Sequence, residues 1–134
     1  MNGVFLVLGV IFAALAALIH LGIFVLESVL WSRPTTWRRF GVRSQHDADV
    51  LRPMAYNQGF YNVFLALGAG VGIFMIGSES VRQGGIALTI FSLLSMLLAS
   101  IVLVSSNPRL MQAAMLQGLA PLGGIVFLVL FLVG

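Results

Sequence analysis

The chain has 134 residues, 60% of them hydrophobic and only 8% charged, with a mean hydropathy of +1.07. Soluble domains carry about 25% charged residues, so this composition excludes a water-soluble globular domain and defines a membrane protein. The net charge of +3 comes from arginine alone, and the chain has no cysteine, which removes disulfides, thiolate nucleophiles and cysteine metal sites.

The first apolar run covers residues 3–30, and it exceeds the ~20 residues that a helix needs to cross ~30 Å of hydrocarbon. Small residues at 13–17 resemble a cleavage region, but the run has no basic leader and is too long for a signal peptide, so an uncleaved span is expected. It contains two ionisable groups, His20 and Glu27. Such groups cost at least ~2.5 kcal/mol in hydrocarbon, so they mark helix-facing or cavity-facing positions. Seven residues separate them, which is two helical turns, and Phe24 lies between them on the same face. Each also has a plainer reading. Glu27 would snorkel toward the headgroups near Trp31 and meet Arg33, and His20 would donate to a neighbouring carbonyl. A single intramembrane histidine makes a poor metal site, and axial ligation of haem by His20 is the alternative that one histidine could serve.

Residues 31–53 form the main polar segment and hold five of the seven arginines: Arg33, Arg38, Arg39, Arg43 and Arg52. Pro34, Thr35 and Thr36 mark a helix stop and restart. Trp37, Arg38, Arg39 and Phe40 then suit a short interfacial helix or ordered turn on an anionic membrane surface. His46, Asp47 and Asp49 read as solvated loop residues rather than metal ligands. A second span is expected over residues 54–77. Asn57 with Tyr61, and Gln58 with Asn62, are two i,i+4 pairs on adjacent stripes, which makes one continuous polar face. Gly68 and Gly72 allow close approach to another helix, in this chain or in a second copy.

The third span, residues 84–105, carries Thr89, Ser92, Ser95 and Ser100, hydroxyls suited to bonding their own backbone in a closely packed helix. The fourth, residues 110–133, carries Gln117 and, four residues on, Pro121, whose missing N–H frees the carbonyl of Gln117. The methionines read as packing residues.

Together these readings give an all-α polytopic protein. It is a four-transmembrane-helix bundle in a single domain, 1–134, with a short interfacial segment between the first two spans. Arginine asymmetry places the loop of residues 31–53, and Arg109 with it, in the cytoplasm, and both termini outside a bacterial inner membrane. On that orientation His20, Glu27, Asn57, Gln58, Tyr61, Asn62 and Gln117 converge at the cytoplasmic half or the midplane and predict a polar pocket for a small-molecule ligand. Interhelical hydrogen bonding alone would account for any one of the amides. No phosphate loop, nucleophile elbow, HExxH or paired-cysteine motif occurs, no cofactor or nucleic-acid partner is indicated, and the lipid bilayer is the expected surrounding.

His20, Leu26-Glu27, Trp31 and Pro34 in and after the first span, Asn57-Gln58-Gly59 with Tyr61-Asn62 and Phe64-Leu65-Ala66 in the second, and Gln117-Gly118 with Pro121 in the fourth resemble one family. It is the small bacterial membrane proteins grouped as domain-of-unknown-function family 1304. The resemblance covers nearly the whole chain and implies a four-helix membrane fold with no established activity. Three functions fit the residues. One is binding or transport of a small solute with a proton carried by Glu27, for which four short helices predict a homo-oligomer. Another is an accessory subunit whose polar stripe holds a partner helix. The third is a membrane enzyme using His20 or Glu27 as acid or base, with Tyr61 as a donor.

Overall fold

A computed structural model describes residues 2–134, and these are almost wholly helical. Helix α1 runs Asn2–Phe24 and continues into a π-helical turn, Val25–Val29. A short α2, Pro34–Trp37, leads into a 3-10 turn, Arg38–Phe40, and then the long α3, Gln45–Ile76. Helix α4, Arg82–Ser106, is joined by the 3-10 turn Pro108–Leu110 to α5, Met111–Val133. Four helical segments are long and apolar enough to cross a membrane: Gly3–Val29, Gln45–Ile76, Arg82–Ser106 and Pro108–Val133. The protein is therefore a multi-pass membrane protein.

The spanning helices form a ring in which α1 packs on α3 and α5, and α4 closes the far side against the same two. Every neighbouring pair is antiparallel, so the topology is up-down-up-down. The two arginine-bearing connections, 30–44 and 107–110, lie together at what we call the basic end. At the opposite end Arg82 donates from Nε to the Ile76 carbonyl at 3.1 Å, which satisfies an orphan acceptor at the C-terminus of α3.

Small residues set the helix separations. The central core contains Ala13, Ala16, Ala69 and Ala120 around Leu93, Met96 and Leu128. In lipid, where helices gain nothing from burying apolar surface against each other, close van der Waals packing of this kind drives association. At the α3–α4 crossing a Cβ on Gly72 would lie 2.8 Å from the Gly85 carbonyl oxygen, and one on Gly85 would lie 2.7 Å from that of Gly72. Gly68 meets Ser92 in the same way. The small-residue stripe of Gly68 and Gly72 is thus used inside this chain. The hydroxyls of α4 turn inward on their own helix, Thr89 donating to the Gly85 carbonyl at 2.8 Å and Ser92 to that of Leu88 at 3.0 Å.

Helix α3 corrects the expected second span. It begins at Gln45, nine residues before the predicted start, so the second half of the polar segment 31–53 is helix rather than loop. Ser44 is its N-cap, its hydroxyl accepting from the Asp47 N–H at 3.0 Å and donating to Oδ2 of Asp47 at 2.6 Å. Pro53 lies within the helix and leaves one ladder bond unmade. Trp37 is also placed differently from the expected interfacial position. It is 2% exposed and packs with Trp31, Ala48 and Ala55, while the Trp31 indole N–H donates to the Ala48 carbonyl at 2.8 Å. The early turns of α3 supply an apolar wall, Ala48 and Ala55, against which both indoles pack. The guanidinium of Arg38 lies 5.3 Å from the Trp37 ring centroid, a cation–π contact.

Candidate functional site

The π-helical turn carries Glu27 into the bundle. Its i→i+5 bond, from the Leu30 N–H to the Val25 carbonyl at 2.9 Å, widens the helix where α3 approaches closest. That approach requires Gly59: a Cβ there would overlap the Ser28 hydroxyl and lie 3.3 Å from the Glu27 Cβ. The Ser28 hydroxyl donates to the Tyr56 carbonyl at 2.9 Å, tying the turn to α3. Glu27 is 5% exposed in this setting.

Asn62 of α3 holds the carboxylate. Its Nδ2 donates to Glu27 Oε2 at 3.0 Å and to the Gln58 carbonyl of its own helix at 3.1 Å, so both amide hydrogens are used. The second bond fixes the direction of the first. Oε1 of Glu27 has no protein donor among the described residues.

Beside this pair lies a cavity of about 340 Å3 to which all four spanning helices contribute. Glu27, Ile23 and Leu26 come from the first span, and Gln58, Tyr61, Asn62 and Leu65 from α3. Ala99 and Leu103 of α4 face Ala113, Leu116 and Gln117 of α5, and Arg39, Phe40 and Leu110 close the cavity at the basic end. Nine of these fifteen residues are apolar, so the space suits a molecule with an apolar body and one polar end. The only charged neighbour of Glu27 in the lining is Arg39.

Five of the seven residues singled out from the sequence are therefore brought together: Glu27, Gln58, Tyr61, Asn62 and Gln117. Asn57 is not among them; it is exposed on the flank of α3, one turn before Tyr61, the member of its stripe that does line the cavity. His20 also lies outside the lining. It is 1% exposed, deeper in the bundle, and its Nδ1 donates to the Ala16 carbonyl at 2.9 Å. His20 and Glu27 share the inward side of their helix, as their spacing predicts, but Phe24, packed edge-on against Phe60 at 5.2 Å, lies between their levels. Arg39 and Phe40 are cavity residues that the sequence reading left in the surface segment. The signal was available in Gly41, whose left-handed backbone (φ 80°) turns the chain back over the bundle end. No group of three His, Asp or Glu side chains able to hold a metal ion occurs among the described residues. Asp47 and Asp49 are bonded to Ser44 and Gln45 instead.

A ring of four antiparallel membrane helices enclosing a buried, hydrogen-bonded carboxylate beside a mainly apolar cavity defines the class of protein. The chain belongs to the family described as protein of unknown function DUF1304, whose model matches residues 14–129 and so includes every residue of the site. No curated protein and no solved structure shows a significant match to the chain.

Proposed function

We propose that this membrane protein binds a small molecule in the cavity, with the polar end of the molecule at Glu27 and its apolar body along Leu65, Leu103 and Leu116. The observation that carries this reading is the Glu27–Asn62 pair. One carboxylate oxygen is bonded and the other is free beside a space large enough for a ligand. A buried ionisable group is expensive in a membrane, and a purely structural bond between α1 and α3 would need no cavity. Gln58 and Gln117 add amide groups on opposite walls, and Tyr61 adds a hydroxyl at the rim.

The concentration of arginine at the basic end supports placing that end, and the cavity mouth, in the cytoplasm, with both termini on the other side. Carriage of the bound molecule across the membrane with a proton on Glu27 is the transport form of the same reading. The enzyme reading loses support, because His20 and Glu27 do not share a space in which an acid and a base could act on one substrate.

The deciding experiment is a high-resolution density map of the purified protein in mild detergent, paired with one of the Glu27→Gln variant. Discrete non-protein density against Glu27, Asn62 and Gln117, lost or displaced in the variant, is expected. A cavity filled by water alone in both maps would overturn the proposal.

A further inference from the structure

A second depression, about 390 Å3 in volume, lies between the two connections of the basic end. It is lined by Arg38, Arg39, Arg43 and Arg109 with Asn107 and Gly41. Residues distant in sequence are brought together there by the left-handed turn at Gly41, where a Cβ would lie 3.8 Å from Nδ2 of Asn107. The Asn107 side-chain Oδ1 accepts from the Arg109 N–H at 3.2 Å, so the amide presents its NH2 side toward Gly41 and the cleft.

The chain has four carboxylates, and none lines this cleft. Glu27 is bonded to Asn62, Asp47 to Ser44 and Asp49 to Gln45, and Glu79 sits in the connection at the opposite end. Four arginines thus line one space that has no carboxylate among its lining residues. Like charges gathered within a Debye length of about 8 Å repel one another unless an anion sits among them. Guanidinium forks match the oxygens of a phosphate in paired hydrogen bonds, which an ammonium cannot do.

We propose that the arginine cleft is a phosphate-binding site, with Arg38, Arg43 and Arg109 gripping the phosphate oxygens and Asn107 adding a neutral donor. The phosphate comes either from a phosphomonoester lipid headgroup or from a soluble phosphate. The site stands independently of the cavity reading, although Arg39 and Leu110 line both spaces.

The test uses the full chain in mild detergent, titrated separately with phosphatidic acid, phosphatidylcholine and inorganic phosphate. Bound lipid is counted by native mass spectrometry and affinity is read from the melting-temperature shift. Arg39 is left unchanged, so the cavity is not altered. The Arg38→Gln/Arg109→Gln protein is expected to bind about ten-fold or more weakly, given the strength of hydrogen bonds to charged groups. The Arg33→Gln/Arg52→Gln protein, which removes the same charge from the same end outside the cleft, is expected to change affinity by less than about two-fold. Should the first double variant fail to fold, Arg43→Gln alone is expected to weaken binding by about three-fold. Response to phosphatidic acid alone identifies a lipid headgroup, and response to inorganic phosphate identifies a soluble source. Equal loss in both double variants would reduce the cleft to diffuse surface charge, and phosphatidylcholine binding as well as phosphatidic acid, or no binding at all, would equally overturn the proposal.

Discussion

At the scale of single residues the Glu27–Asn62 pair is asymmetric. Asn62 is anchored by its own helix through the Gln58 carbonyl, whereas Glu27 rests on Asn62 alone. Removing the amide should therefore disturb the carboxylate more than the reverse. Asn62→Ala is expected to lower stability in detergent by about 1 kcal/mol, the scale of a hydrogen bond between membrane helices. Glu27→Gln keeps an acceptor for Asn62 and should melt within a few degrees of the unaltered protein. Thermal unfolding of both variants checks the contrast, and equal destabilisation would mean that the charge, not the acceptor, holds the helices together. The gathering of Glu27, Asn62 and Gln117 at one level of the bundle was legible from polarity in an apolar setting. The exclusion of Asn57 was not, because a stripe of hydrogen-bonding groups does not say which of its edges turns inward.

At the scale of the element, α3 shows both what patterning reveals and where it stops. Hydropathy located the spans of α1, α4 and α5 to within a few residues of their observed limits. It missed the first turns of α3 because Gln45–Arg52 is polar and Pro53 reads as a break. Yet Ser44 followed three residues later by Asp47 is a helix-start signature, and it marks the true N-terminus. The π-helical turn has no comparable signature, since Val25–Val29 would suit an ordinary α-helix. Its evidence lies in Gly59, across from it. Gly59→Ala is expected to destabilise by about 1 to 3 kcal/mol, as overpacking does, because the added methyl overlaps Ser28. Gly70→Ala on the same helix, where a Cβ meets nothing within 4 Å, should be neutral or stabilising by about 0.5 kcal/mol through helix propensity. Parallel melting curves would decide this, and equal behaviour of the two alanine variants would contradict the close approach at the π turn.

The whole molecule places four arginines in one connection, a fifth, Arg52, in the first turns of α3, and a sixth, Arg109, in the other connection at the same end. The chain has no cysteine to remove, so single-cysteine variants report sidedness directly. Ser78→Cys should react with an impermeant maleimide in intact cells, and Ser44→Cys only after permeabilisation. The reverse pattern would invert the orientation and place the cavity mouth outside. Helix α3 has 32 residues and is ~48 Å long at 1.5 Å per residue, against ~30 Å of hydrocarbon. Its first turns therefore project from the membrane as a stem, clamped by Trp31 and Trp37, and the same rod ends its next stretch at Gln58 and Asn62. The stem and the residue that holds the Glu27 carboxylate, Asn62, thus belong to one continuous helix whose backbone ladder lacks a bond at Pro53. The arginine-rich end and the buried acid are therefore joined through a single helix rather than through a loop.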